Sequence, residues 1–402
     1  MKTTSLGIAL LATLVVCGSA LGAEAPTIRN TTEPQQGHTT LKLEPLWTIG
    51  GEDNEVLLGT IERVLTLPDG RVLMMDSQLS HVLEFSAEGE MIRELGRSGD
   101  GPGEATNPRD LVCFDDGTLG LVKVFPGQLV LLTPDGLPGG LIKLSAGDTP
   151  GGFVTMHRAM QGGGTLLIGG SVMTMNPGTP HQSRSFFLGR YDRQGKQLVE
   201  YARTDVAIDL SEGKYLESWQ EFVWSRMGVA TDGTVVVGIP RDEFEVSWFS
   251  PAGNLLRKAT VPGEPWARNE MARDRIHGVL ARQARHAPGT VATPATTEPM
   301  IADLLVRENG DVWCLTSESM WDAEAGTFAA YDVLDSNGHY AQRVTVVCAG
   351  DPTSDRLLLA GDRAYRVAGY WDAVNRIEGS EAEADDDAEP MSVTCYRVSK
   401  GQ

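Results

Sequence analysis

From Ile61 to Val347 the chain alternates short aliphatic and β-branched runs with turns in which Asp, Asn or a small residue precedes glycine. The stretch "VLTLPDGRVLMM" shows the pattern: an apolar run, Pro-Asp-Gly, and a second apolar run. Such a turn between such runs is a strong short-range signal for a β-hairpin, because glycine accepts the left-handed backbone angles the turn needs. The turns form two phased series. The first comprises LPDG at Gly70, FDDG at Gly117, QGGG at Gly164, ATDG at Gly233 and RENG at Gly310; the second comprises SAEG at Gly89, TPDG at Gly136, DRQG at Gly195, SPAG at Gly253 and DSNG at Gly338. The first two steps, from 70 to 117 and from 117 to 164, are both 47 residues. Later steps are longer, yet cores such as "GVATDGTVVVG" keep their length, so the excess belongs to insertions.

That period fits a four-stranded propeller blade. Each unit reads strand, glycine turn, strand, connection, strand, glycine turn, strand. A sixth unit begins at "SDRLLLAGDRAYRVAGYW" and resumes at "MSVTCYRV" after an acidic gap, which leaves it one strand short. The run "LKLEPLWTIG", Leu41–Gly50, has no other partner and supplies that strand. Closing the ring in this way removes exposed strand edges. The predicted fold is all-β: a six-bladed β-propeller with four-stranded blades, an N-terminal strand completing the last blade, and a helical insertion between blades four and five. The expected boundaries are a signal peptide at 1–22, a flexible linker at 23–40 and the propeller at 41–400, with insertions at 204–224, 263–299 and 371–390.

The segment "ELGRSGDGPGEATNPRDLVCFDDG" resembles the blade junction of bacterial six-bladed β-propellers of the NHL-like group. It has a strand ending in Leu-Gly, a Gly-Pro-Gly-Glu turn, a proline before the next inner strand and a closing Asp-Gly turn. The resemblance implies the fold and hardly any activity, since propellers host many unrelated functions. Gly99, Gly101 and Gly103 are expected to turn the chain from one blade to the next. A phosphate-cradling loop would instead need a following helix with Lys-Ser/Thr, and "PRDLVCF" reads as a strand.

The formal net charge of −20, with scattered basic residues, argues against nucleic acid or an anionic lipid surface as partner. At the amino terminus one lysine, an apolar run from Leu6 to Val16 and small residues up to Gly22 have the layout of a secretory signal peptide. Val16 before Cys17 disfavours lipidation there, so simple export to the periplasm or the medium is expected, with no transmembrane segment left after removal. Export permits disulfides, but Cys113, Cys314, Cys348 and Cys395 lack paired spacing and read as free thiols.

All the long insertions are b–c or d–a connections, which places them on one face of the disc, where binding is expected. The segment from Trp266 to His286 reads as a helix, either plugging the gap between blades four and five or lying over the channel mouth with Arg273, His277 and Arg282. The acidic run from Glu381 to Glu389 lacks the ligand spacing of a calcium loop and reads as a solvated loop. The histidines are dispersed, so neither a metal nor a cofactor is expected, and no catalytic residue is assigned. Counting seven residues back from each first-series glycine gives Arg63, Asp110, His157, Arg226 and Asp303, and the same count from Asp362 gives Asp355. Equivalent positions of six radial strands converge, so these form a candidate ligand-binding ring. Glu62, Arg109, Arg158 and Ser225 replace them if the register slips by one. Two arginines, a histidine and three aspartates suit a small polar or zwitterionic ligand, with His157 lending pH sensitivity near neutrality. The expected function is binding of such a ligand or of an envelope protein. The alternative, from related architectures, is a metal-dependent lactonase or lyase.

Overall fold

The computed structural model describes residues 25–52, 55–144, 152–175, 178–179, 181–285, 287, 289–378 and 390–398. The signal peptide expected at 1–22 and the acidic run at 381–389 lie outside the described residues. Six sheets, antiparallel within each blade, stand around one axis as a six-bladed propeller, and a separate two-stranded parallel sheet pairs Lys214–Leu216 with Val291–Thr293. From inner to outer strand, blade one runs from Ile61 to Leu95, blade two from Leu111 to Lys143, and blade three from Gly152 to Asp209. Blade four spans Met227–Val261, blade five Ile301–Val347, and blade six Arg356–Arg397 with Glu44–Gly50 as its outer strand. All ten glycines of the two turn series take positive φ, between +72° and +92°, which is the backbone state that made the repeat visible in the sequence.

The core lies between blades, and the alternation of each second strand creates it. In Val72–Asp76, Val72 and Met74 pack toward blade six with Ile49, Tyr365 and Val393. Leu73 and Met75 pack toward blade two with Leu111, Leu121 and Leu132. Both faces of the sheet are therefore buried, which is why this strand reads as one apolar run rather than as alternation. The same sandwich recurs at each of the remaining seams around the ring.

The chain closes through Glu44–Gly50, which pairs antiparallel with Ser392–Arg397 as the outer strand of blade six. Leu41 and Lys42, expected in that strand, belong instead to His38–Lys42, which pairs parallel with the outer strand of blade five. A further strand, Thr27–Arg29, pairs parallel with the outer strand of blade four. The segment expected as a flexible linker at 23–40 thus carries strands, and it covers two sheet edges that would otherwise present unpaired N–H and C=O groups. Asn30 fixes its course: its Nδ2 donates to Gly338 O at 3.0 Å, and its Oδ1 accepts from Tyr340 N at 2.9 Å.

Three α-helices occur among the described residues: α1 (Glu270–Ala284), α2 (Ser317–Trp321) and α3 (Tyr370–Glu378). The first starts later than Trp266 because the Asn269 side chain accepts from Ala272 N at 2.9 Å and caps it there. Met271 is 50% exposed, while Ala272, Leu280 and Ala284 are buried. Residues 204–209, expected as insertion, prolong the outer strand of blade three. None of the described helices is long and apolar enough to cross a membrane. The four described cysteines are free thiols.

Candidate functional site

The register of the inner strands decides which side chains meet at the channel mouth. In blade one, Thr66 pairs with Val72 and Arg63 with Met75, around a three-residue turn at Pro68–Gly70. Blades three and six use two-residue turns: Gly162 pairs directly with Thr165, and Ala360 with Arg363. Counting back from the turn therefore overshoots by one in those two blades. The positions equivalent to Arg63, Asp110, Arg226 and Asp303 are Arg158 and Arg356, not His157 and Asp355. A β-bulge at His157, matched by bulges at Glu62 and Ala302, marks the same level in blades one, three and five.

Arg158 lies among charges from several blades. It lies within electrostatic range of Arg63, Asp110, Asp303 and Arg356, from blades one, two, five and six. Asp110 is completely buried. It accepts from Arg63 Nε at 2.6 Å and from Leu111 N and Ala159 N, and Arg158 Nε lies 3.4 Å from its other oxygen. Burial raises the Asp110 carboxyl, but the two arginine charges outweigh it and hold it below the usual carboxylate range. Arg158 is less well served. Its Nε is buried without a hydrogen bond, and burial together with the like charges of Arg63 and Arg356 pushes the group down to about 10.

Around this centre lies a second set. Glu62 accepts from Tyr370 Oη at 2.8 Å and lies 3.6 Å from both Arg109 Nη1 and Arg356 Nη1. Arg356 Nη1 donates to Tyr370 Oη at 2.9 Å. Beside it a cavity of about 160 Å³ opens between blades four, five and six, walled by Leu315, Met320, Phe328, Tyr331, Leu357 and Trp371 and bearing Asp303 and Arg356.

The three helices roof this side. Arg275 of α1 lies 3.4 Å above the Trp321 ring of α2, and Trp321 packs on Trp371 of α3 with centroids 5.0 Å apart. Below them Arg275 pairs with Glu298 at 3.0 Å, Arg268 bridges Glu298 and Glu217, and Arg241 links Glu217 to Glu221. The contacting arginine is thus Arg275. Arg273 and His277 are exposed.

The remaining expected ring members are engaged by other partners, although Asp355 still lines the cavity. Arg226 is 3% exposed and donates to Gly238 O at 3.0 Å and to Glu221 Oε1 at 2.7 Å, so its charge is consumed in the roof network. Asp355 accepts from Arg366, Gly369 N and Ser354 Oγ within blade six. His157 packs against Trp224, with centroids 4.5 Å apart, and shares a 3.1 Å hydrogen bond with Thr155 Oγ1. It does not stand between opposite charges: burial, and then Arg184 and Arg109, push it down to about 4, so it is neutral near pH 7. The glycine loop at 99–103 is filled by its own carboxylate, since Gly101 N donates to Glu104 Oε2 at 2.9 Å, which supports the turning role over an anion cradle. Sequence reasoning missed Arg356, Tyr370 and Trp371. The turn length of "AGDR" was the available signal for the first, and nothing in the spacing pointed to the other two.

No protein-family model and no curated relative matches the sequence. Among solved structures the chain is similar to BF0058 of Bacteroides fragilis, a proposed exported protein, with TM-score 0.51 and 11% identity over 93% of this chain and 100% of that one. It is also similar to a member of the DUF4221 family from Bacteroides vulgatus, with TM-score 0.46 and 9% identity over 90% and 99% of the two chains. A third is the calcium-binding protein regucalcin from Agrobacterium tumefaciens, with TM-score 0.41 and 13% identity over 90% and 98%. What the first of these likenesses establishes is the propeller fold.

Proposed function

We propose that this is an exported binding propeller whose channel mouth, on the face bearing the insertions, captures a small organic anion or zwitterion. The observation that carries the reading is Arg158. A guanidinium only 18% exposed, whose buried Nε–H lies 3.4 Å from Asp110 without making a hydrogen bond, flanked by two further arginines and sharing a carboxylate already served by Arg63, is an under-paired arrangement. Buried charge without adequate pairing is costly, and such costs gather at sites that a ligand completes. Export rests on the amino-terminal pattern of lysine, apolar run and small residues, and the name of the Bacteroides fragilis protein accords with it.

The test is thermal unfolding of the chain lacking residues 1–22 with a panel of small mono- and dicarboxylates. A ligand present at about a hundred times its Kd stabilises by roughly 2.7 kcal/mol, a shift of several degrees. Arg158→Gln should abolish the shift. Arg193→Gln, which removes an exposed pair with Asp116 in the tight turns, should leave it intact. Shifts that survive Arg158→Gln would place binding elsewhere.

A further inference from the structure

The chemistry of the cavity beside Arg158 narrows the ligand class, on the premise that the channel mouth binds. Two carboxylates and one guanidinium reach this space, from Asp303, Asp355 and Arg356. Asp355 is already spent on Arg366, Gly369 N and Ser354. Asp303 is not. Its Oδ1 accepts from Leu304 N at 3.0 Å, and among the described residues no basic side chain forms an ion pair with it and Oδ2 takes no hydrogen bond. An underused carboxylate lining the same cavity as Phe328, Tyr331 and Trp371 fits a cation such as an ammonium group.

The opposite charge stands in the same space. Arg356 lines the cavity, and Arg158 lies within electrostatic range of both Asp303 and Arg356. The space therefore offers a partner for an ammonium and a partner for a carboxylate. The rest of the wall is apolar, and about 160 Å³ is close to the size of an engineered cavity that takes up benzene. A branched aliphatic side chain fills such a space, while an indole overfills it.

We propose that the site recognises a free α-amino acid with an aliphatic side chain of about leucine size. In this arrangement Asp303 holds the ammonium, Arg356 and Arg158 hold the carboxylate, and the side chain enters the cavity between blades five and six. Both charges are needed at once, because either charge alone would leave one of the two protein groups unbalanced.

Titration calorimetry with L-leucine, 4-methylpentanoate and 3-methylbutylamine separates the contributions, since the second lacks the ammonium and the third the carboxylate. L-leucine should bind at least tenfold more tightly than either analogue, the scale of a hydrogen bond to a charged group. Asp303→Asn keeps an oxygen for Leu304 N and should erase the advantage of leucine over 4-methylpentanoate while leaving 4-methylpentanoate binding unchanged. Arg158→Gln should weaken leucine and 4-methylpentanoate together. The inference is overturned if leucine binds no better than 4-methylpentanoate, or if Asp303→Asn weakens both equally without lowering the melting temperature. If other carboxylates of the panel bind through Arg158 and leucine does not, this inference falls while the channel-mouth reading stands. If no carboxylate binds at all, the channel-mouth reading falls with it.

Discussion

Trp47→Ala should destabilise the entire propeller, because Trp47 spans the seam at which the ring closes. The residue sits opposite Cys395 in the outer strand of blade six. Its indole stacks on Phe85 of blade one, with centroids 6.5 Å apart, and packs on Tyr365 of blade six at 6.1 Å. Its Nε1 donates to Ala87 O at 3.0 Å. The fit at the turn is close: a Cβ on Gly89 would lie 2.6 Å from the indole. Removing a large aromatic from a full core costs about 3–5 kcal/mol, and the partial exposure of Trp47 brings the expectation to about 2–3 kcal/mol. Trp47→Phe keeps most of the packing and loses the hydrogen bond. Ala87 O still accepts from Arg363 Nη1 at 2.8 Å, so no carbonyl is orphaned and the loss should be only about 1 kcal/mol. Urea unfolding followed by far-ultraviolet circular dichroism and by fluorescence of the remaining tryptophans measures both variants. The two signals should shift together, since every blade is held by its neighbours. An unchanged midpoint for Trp47→Ala, or a larger loss for Trp47→Phe, would refute this account of closure.

Arg226→Ala should lower stability by about 1–3 kcal/mol rather than act on ligand affinity, because it removes the donor to Gly238 O and leaves Glu221 to Arg241 alone; a well-folded variant with lost binding would reverse that assignment. His157, pushed from 6.5 down to about 4 in the fold, is neutral there while the unfolded chain still takes up a proton. Its contribution is therefore complete above pH 6.5 and is lost as pH falls toward 4, a difference of about 3 kcal/mol. His157→Gln should flatten that part of the stability profile, and an identical pH slope in the two proteins would contradict it. No group of three His, Cys, Asp or Glu side chains that could hold a metal occurs among the described residues. On the binding reading elemental analysis of the purified protein finds no stoichiometric divalent ion, and its presence in the channel would favour the lactonase or lyase alternative.

Blade number, closure and the face of the insertions were legible because each depends on local signals. Glycine turns repeat wherever φ must be positive, and the unpartnered strand at 44–50 can complete only a sheet that lacks one. The strands at 27–29 and 38–42 were not legible, since three to five residues of parallel edge pairing leave no hydrophobic period. The level of the candidate side chains on the inner strands was legible to within one residue. A turn of two residues instead of three, at Gly163–Gly164 and Gly361–Asp362, moves the convergent side chain from His157 to Arg158 and from Asp355 to Arg356. Arg226 occupies an equivalent position, yet Glu221, from the preceding insertion, captures it. Tyr370 and Trp371 reach the mouth through an insertion helix, whose placement depends on tertiary packing that no spacing encodes.

The most direct test of channel-mouth recognition is a crystal structure of the mature chain with the carboxylate that gives the largest thermal shift. The account predicts ligand density on the insertion face, with the carboxylate within hydrogen-bond distance of the Arg158 guanidinium and the remainder of the molecule directed toward Asp303 and the cavity walled by Phe328, Tyr331 and Trp371. Density among the tight turns of the opposite face, or along the outer edges of the blades with the mouth empty, would contradict it.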